Sequence, residues 1–311
     1  MIVGVLYVIG QGPYESPQVR SDRKNLEHMA TGNTAVFGSS HGFSVMPDKM
    51  DLDGVNLSHG GQDVFEMVYM ARAVKRAAPN LKTVIFTISY FTFVFDNAAY
   101  ATKGKQTRIG RRLVMYTAFP SLDYIPGDAT SYVKGLLAPV VTRDHWRLVI
   151  WPGGSRKDAL PDASDLPPSP RRDDGVANAS ALASYAKRRC KQYASLMRNM
   201  TSHHPHIEAD TYATLKKASQ ELEGDGVRVV LVTPPYSDAY NACFDTKRQT
   251  LTRKLARRIA SETGAEYVDA GKLPEFASSR EYFRNSDHLN NAGKVEFSRW
   301  LGRKLGTADH D

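Results

Sequence analysis

Cysteine is scarce: Cys190 and Cys243 are the only two in a chain of 311 residues. That excludes a small scaffold built on disulfides, and their spacing fits no metal-ligand pattern, so they are either free thiols or one bridge. Long hydrophobic runs are scarce too. The apolar stretch Met1 to Gly10, MIVGVLYVIG, is about half the length that crosses a bilayer, and no basic leader precedes it. It reads either as the tail of a membrane anchor or as a buried strand. The anchor is favoured, because Gln11 to Gln18, broken by Gly12, Pro13 and Pro17, reads as a tether. There is no internal repeat, the composition is neither disordered nor coiled-coil, and no nucleic-acid recognition motif accompanies the positive charges.

What is present is a globular composition, 41% hydrophobic, long enough for one large α/β domain or two small ones. The formal net charge of +8, with an isoelectric point near 9.3, favours acidic partners without choosing among anionic glycans, nucleic acid and a lipid surface.

From residue 22 onward strand and helix patterns alternate. A short helix is expected over Arg23 to Ala30, a first strand over Thr34 to Phe37, and a second over Gly54 to Leu57. Asp63 to Ala78 carries Val64, Met67, Val68, Ala71, Val74 and Ala78 at helical spacing. Lys82 to Ser89 and Val227 to Thr233 read as central strands, and Glu266 to Asp269 as the last one. A basic helix is expected at Thr246 to Thr263, ending at Gly264, and a closing helix at Asn291 to Leu305. Strands separated by helices indicate right-handed crossovers and a parallel sheet covered on both faces.

Between residues 96 and 205 that rhythm fails. Gly104 to Tyr116 is basic, Ser131 to Val141 looks helical, Arg147 to Trp151 looks like a strand, and Gly153 to Asp174 reads as an exposed loop. Ala181 to Met200 is a long helix whose Lys187, Arg188, Arg189 and Lys191 read as a solvated basic face. The expected organisation is a truncated membrane anchor and tether over 1–22, one domain over 23–305 with an insertion at 96–205 forming a cap or flank, and a tail over 306–311.

Three stretches carry chemistry. Ala35 to Ser44, AVFGSSHGFS, delivers Ser39 and Ser40 to a turn after the first strand, at the carboxyl edge where ligands bind in parallel sheets. Asn56 to Gln62, NLSHGGQ, places Gly60 and Gly61 where a backbone N–H can approach whatever Ser40 attacks. Tyr282 to Ser298, YFRNSDHLNNAGKVEFS, sets His288 just before the last helix, beside Asn285 and Asp287, with Asn290 or Asn291 as the helix cap. A serine hydroxyl is a poor nucleophile at neutral pH and needs such a base.

In this order and spacing, FGSSHG, NLSHGGQ and SDHLNNAGKVEFS resemble the SGNH (GDSL-type) hydrolase superfamily, nearest to its polysaccharide-modifying branch of envelope-associated acyl esterases and acyltransferases. The resemblance covers about Asn33 to Ser89 and Val227 to Leu305. It implies a flavodoxin-like three-layer αβα sandwich, Ser40 as nucleophile, His288 as general base, and oxyanion donors from the Ser40 backbone and the Gly60 and Gly61 region. No metal and no organic cofactor is implied. The implied reaction is hydrolysis or transfer of an O-acyl group, most often acetyl, on a surface polysaccharide. An acyl donor or membrane acyl-transfer partner would fit, in a bacterial periplasm or envelope with membrane association through the N-terminus.

Three positions depart from the family pattern. Ser39 stands in place of the acidic residue. Ser89, Tyr90, Phe91 and Thr92 follow the third strand where an oxyanion-hole asparagine is usual. Asn285 holds the place of the acid, so His288 is expected to be oriented either by Asn285 or by a loop that turns Asp287 inward, with Asp287 favoured for its charge.

Other candidates have plainer readings beside functional ones. His203, His204 and His206 are read as solvent-exposed rather than as metal ligands. His41 and His59 either line the site or cap a following turn. Tyr90, Phe91, Phe93 and Phe95 either stack on sugar rings or pack under the insertion, the latter favoured. An alternative to an enzyme is an accessory carbohydrate-binding protein that keeps the fold with a weakened site.

Overall fold

A computed structural model describes residues 24–96, 115–116, 125 and 179–307. The chain divides into two compact units, Met1–Glu27 with Ala101–Pro170, and His28–Tyr100 with Arg171–Asp311. The sheet and the candidate site belong to the second. The expectations for Met1 to Gly10, Gln11 to Gln18, Ser131 to Val141, Arg147 to Trp151 and Gly153 to Asp174 lie outside the described residues, as does nearly all of Gly104 to Tyr116.

Five strands form one sheet: β1 (Thr34–Phe37), β2 (Gly54–Asn56), β3 (Thr83–Thr87), β4 (Arg228–Thr233) and β5 (Glu266–Asp269). Their order is β2-β1-β3-β4-β5 and every pairing is parallel. β1 and β3 are buried along their whole length, which is why their sequences are apolar runs rather than alternations. Register places Val36, Ile85 and Val230 on one rung and Phe37, Phe86 and Leu231 on the next. Successive residues point to opposite faces, so each rung feeds a different layer.

The Val36 rung packs with Val232 and Val268 against Phe297, Leu301 and Leu305 of α7 (Asn291–Leu305). The opposite face is covered by α1 (Val64–Ala77), α3 (Ile207–Gly224) and α5 (Thr246–Thr263), which contact β1, β4 and β5 respectively. The protein is therefore α/β, with a central parallel sheet between helices, a layout compatible with a three-layer sandwich. In the order β2-β1-β3-β4-β5 the winding reverses between β1 and β3, and ligands of open parallel sheets bind outside the strand ends there.

The helix α2 (Ala179–His203) contains the expected helix over Ala181 to Met200. It packs on α4 (Asp238–Cys243) and on the aromatic residues after β3. Phe91 and Tyr193 stack at 4.7 Å, and Phe91 and Phe93 are almost fully buried, which is core packing under this helix. Helix α3 was not expected. Its buried stripe is Ile207, Thr211, Leu215, Ala218, Ser219 and Leu222, so much of its inward face is small or hydroxylated. Thr211 and Ser219 make that face acceptable by donating to the carbonyls of Ile207 and Leu215, four residues back.

Cys190 on α2 and Cys243 at the end of α4 form a disulfide, with Cα atoms 6.0 Å apart and a sequence separation of 53. A closed loop of that size limits the unfolded chain by about 4 kcal/mol. Replacing both cysteines by alanine is expected to lower unfolding free energy by up to about that amount, and reduction should reproduce the loss; paired denaturant titrations measure it.

His204, by contrast, gives the fold a pH dependence. Its Nδ1 lies 3.1 Å from Asp96 Oδ2 and its Nε2 2.7 Å from Asp210 Oδ2. Partial burial works against its charge, but the hydrogen bonds to Asp210 and Asp96 outweigh this and raise its pKa above 6.5. A raised folded-state pKa contributes stability that is complete below the unfolded value and is lost as pH rises through the folded one. Stability should therefore decline over that window above pH 6.5, and His204→Ala should flatten the decline in pH-resolved denaturation curves.

Candidate functional site

The loops that leave β1 and β3 supply the floor of the site. After Phe37 the chain turns at Gly38 and Ser39 into a 3-10 turn, Ser40–Ser44. Glycine is required at 38, because a Cβ there would overlap the Thr87 hydroxyl. Hydrogen bonds bind the NLSHGGQ stretch to this turn: His59 N donates to Gly38 O at 3.0 Å, Gly38 N donates to Gln62 Oε1 at 2.6 Å, and Asn56 Nδ2 donates to Gly42 O at 2.7 Å. Gly60 and Gly61 thus form the tip of a loop clamped at both ends beside the serine turn. Gly61 has φ of 73°, and no atom lies within 4 Å of where a Gly60 side chain would start.

His288 arrives from a two-stranded hairpin, β6 (Phe283–Asn285) against β7 (His288–Leu289), antiparallel with Asn285 opposite His288. Ser286 and Asp287 form its turn. Ser237 fixes that turn, donating from its N–H and its hydroxyl to the Ser286 carbonyl. Asn290 caps α7 by accepting from Gly293 N at 2.9 Å, so the loop ends on a fixed helix terminus.

These elements bring His288 Nε2 to 2.9 Å from Ser40 Oγ. On the far side of the ring, Nδ1 is 3.2 Å from Asn285 Oδ1, its cross-strand partner, in hydrogen-bond geometry. Asp287 Oδ1 lies equally near, 3.2 Å from Nδ1, but off the N–H direction, and that oxygen makes no hydrogen bond. Adjacency explains this: a residue beside His288 in a tight turn can bring its carboxylate alongside the ring but not in line with it. Asp287 is nevertheless turned inward, its side chain wholly buried.

The other carboxylate oxygen, Oδ2, is held by Arg189 Nε at 3.3 Å and His41 Nε2 at 3.4 Å. Burial alone would raise the Asp287 pKa; His288 and His41 outweigh it and hold the carboxyl well below its usual range. The His41 pKa is lowered as well, but by burial, to about 4, the nearby His288 and Arg189 adding to the fall while Asp287 opposes it. At neutral pH the cluster is therefore a carboxylate, a neutral His41 and a cationic Arg189.

The sequence-based candidates separate by position. Ser40, His41, Asp287 and His288 border one open cleft, with Phe43, Pro234, Pro235 and Leu289 as apolar walls and Arg284 and Lys294 as cations. Asn285 stands behind His288. Ser39 points away from the cleft, hydrogen-bonded to Ser89 Oγ at 3.0 Å. Tyr90, a candidate for substrate contact as well as for packing, is wholly buried: its ring packs on Tyr236, Tyr240 and Phe244, its hydroxyl donates to Asn241, and Arg253 lies over it. An apolar run leaving a central strand enters the core before it reaches the edge, so Tyr90 serves packing.

Sequence reasoning missed Arg189, read as part of a solvated basic face. It stacks over Tyr193 at 4.7 Å and points inward; only its place four residues before Tyr193 on the same helix face hinted at this. It also missed Ser89 and Tyr236, which face His41. Among the described residues, His41, Asp287 and His288 are the group whose ligand atoms converge tightly enough to hold a metal. The Arg189 guanidinium on the same carboxylate opposes a divalent cation there. His204 is engaged with its two aspartates as described.

Arg189→Met should lower stability at neutral pH by about 2 kcal/mol, because it leaves a buried carboxylate short of one charged hydrogen bond. Arg189→Lys should recover part of the loss, and the deficit should shrink at acidic pH as Asp287 protonates; urea titrations at both pH values test this. The sequence matches no protein-family model and no curated protein.

Proposed function

We propose that the chain is a serine-dependent acyl ester hydrolase or O-acyltransferase, most simply of O-acetyl groups, working through an acyl-Ser40 intermediate. The observation that carries this reading is the 2.9 Å contact between Ser40 Oγ and His288 Nε2 at the edge of an open cleft and at the sheet's switch point. A serine hydroxyl hydrogen-bonded to an imidazole that can take its proton is an activated nucleophile.

In this reading Ser40 Oγ attacks the acyl carbon while its proton passes to His288 Nε2. The tetrahedral oxyanion takes hydrogen bonds from the Ser40 backbone N–H and from the Gly60 and Gly61 loop, whose clamped position beside Gly38 supports that role. His288 then returns the proton to the leaving alkoxide, and acyl-Ser40 remains. Water or a sugar hydroxyl attacks the acyl carbon, giving its proton to His288; the acyl carbon–Oγ bond then breaks, His288 returns the proton to Ser40 Oγ, and the carboxylic acid or the new ester leaves. Asn285 holds the Nδ1–H of His288, and the Asp287 charge stabilises the imidazolium at short range, together dividing the work of a triad acid.

A surface polysaccharide, anionic in character, is the proposed substrate class, supported by the family resemblance, the net charge of +8 and the cations Arg284 and Lys294 at the cleft. An extracytoplasmic or envelope setting is proposed from the disulfide. The off-axis Asp287 favours a second reading, an accessory protein that binds acylated glycan in the same cleft with little turnover.

Initial rates on an aryl acetate separate the two. Ser40→Ala and His288→Ala are each expected to lose about a thousandfold or more of wild-type turnover, and Asn285→Ala and Asp287→Ala to lose less individually. Full activity in both of the last two variants would remove the proposed orienting pair. Glycan binding by a folded wild-type protein without turnover would favour the accessory reading.

A further inference from the structure

The Asp287 carboxylate raises a question that the Ser40–His288 pair leaves open. Its Oδ1 sits 3.2 Å from His288 Nδ1 without an in-line hydrogen bond, so these neighbours attract through charge but no directional bond between them positions the carboxylate. What holds it is on the other oxygen, and one of the two holders, His41, is the residue next to Ser40 on the same rigid turn.

We propose that His41 is a positioning residue: its Nε2–H anchors Asp287 beside His288, and the hydroxyls of Ser89 and Tyr236 fix the imidazole in that tautomer. The proposal rests on the acyl-serine reading. The hydrogen bonds admit one direction. Asp287 is a carboxylate, so His41 Nε2, 3.4 Å from Oδ2, must carry the proton. The ring is neutral, its side chain only 1% exposed, so Nδ1 is bare and its one lone pair accepts chiefly from Ser89 Oγ at 2.8 Å, with the Tyr236 hydroxyl a weaker, shared donor at 3.3 Å. Ser89 Oγ then accepts from Ser39 Oγ at 3.0 Å, and Ser39 Oγ in turn accepts from His41 N at 3.4 Å. Every donor is used, and the chain crosses the carboxyl ends of β1, β3 and β4.

Neutrality is as important as direction. The groups facing His41 are Asp287 and His288 from the hairpin, Arg189 from α2 and Tyr236 after β4. The His41 and His288 rings are 4.7 Å apart, so a proton on His41 would oppose the charge that His288 acquires from Ser40. With His41 neutral, the Asp287 charge is in place before the reaction begins and needs no reorganisation.

Two measurements on the full chain test this. Nitrogen-15 imidazole NMR at pH 7 needs no substrate. His41 is expected as a neutral ring protonated on Nε2, with that proton resonance moving upfield in Asp287→Ala; a cationic His41, a proton on Nδ1, or an unmoved resonance would overturn the proposal. In Ser40 acylation by an aryl acetate, His41→Gln, whose amide can still donate to Oδ2, should stay within about threefold of wild type. His41→Leu should lose roughly 10- to 100-fold in kcat with KM unchanged, the worth of one buried hydrogen bond to a charged group. Wild-type rates in a folded His41→Leu protein, or equal losses in both variants, would contradict it. If the wild type itself forms no acyl-serine, the acyl-serine reading fails and the NMR result alone decides whether His41 anchors Asp287.

Discussion

One buried anion organises this end of the molecule. Asp287 has no access to solvent, and an isolated carboxylate in such a place would cost several kcal/mol. It is tolerated because His41, His288 and Arg189 surround it, and each comes from a different part of the chain: the turn after β1, the C-terminal hairpin and helix α2. The need to satisfy one charge therefore fixes the mutual placement of three segments. That placement is also what brings His288 to Ser40.

The disulfide belongs to the same logic. Cys190 directly follows Arg189 on α2, and its bridge to Cys243 ties that helix to the segment after β4, which also carries Tyr236 and Ser237. Tyr236 faces His41, and Ser237 holds the hairpin turn. Polar groups from β1, β3 and β4 thus meet in a single hydrogen-bonded layer at the strand ends, with the aromatic cluster of Tyr90, Phe91, Tyr193 and Tyr240 beneath it. A dry, packed floor under a polar layer is the setting in which fixed dipoles and charges act most strongly.

Much of this was legible in the sequence, for a physical reason. Parallel strands buried on both faces must be apolar runs, and helices ending at Gly264 or starting after Asn290 declare themselves by their caps; those elements lie where the patterns put them. Ser40 and His288 were legible because turn chemistry after a first strand and a capped last helix both point to the sheet's carboxyl edge. Asn285 and Asp287 remained alternatives because the answer depends on a hairpin register: with Asn285 opposite His288, the amide is in line and the carboxylate alongside. Arg189 was hidden because a basic helix face looks solvated until its partner, a carboxylate from nearly a hundred residues away in sequence, is known. Helix α3 was hidden because its inward face is built from threonine, serine and alanine as much as from leucine.

The central claim is that Ser40 and His288 act as nucleophile and base. It is tested most directly by peptide mass mapping of the disulfide-intact chain, quenched shortly after mixing with an aryl acetate at neutral pH. The account predicts an acetyl group on the Ser40 peptide that disappears with time and never forms in His288→Ala. Acetyl groups found only on surface lysines, with the Ser40 peptide unmodified in a folded chain, would contradict it.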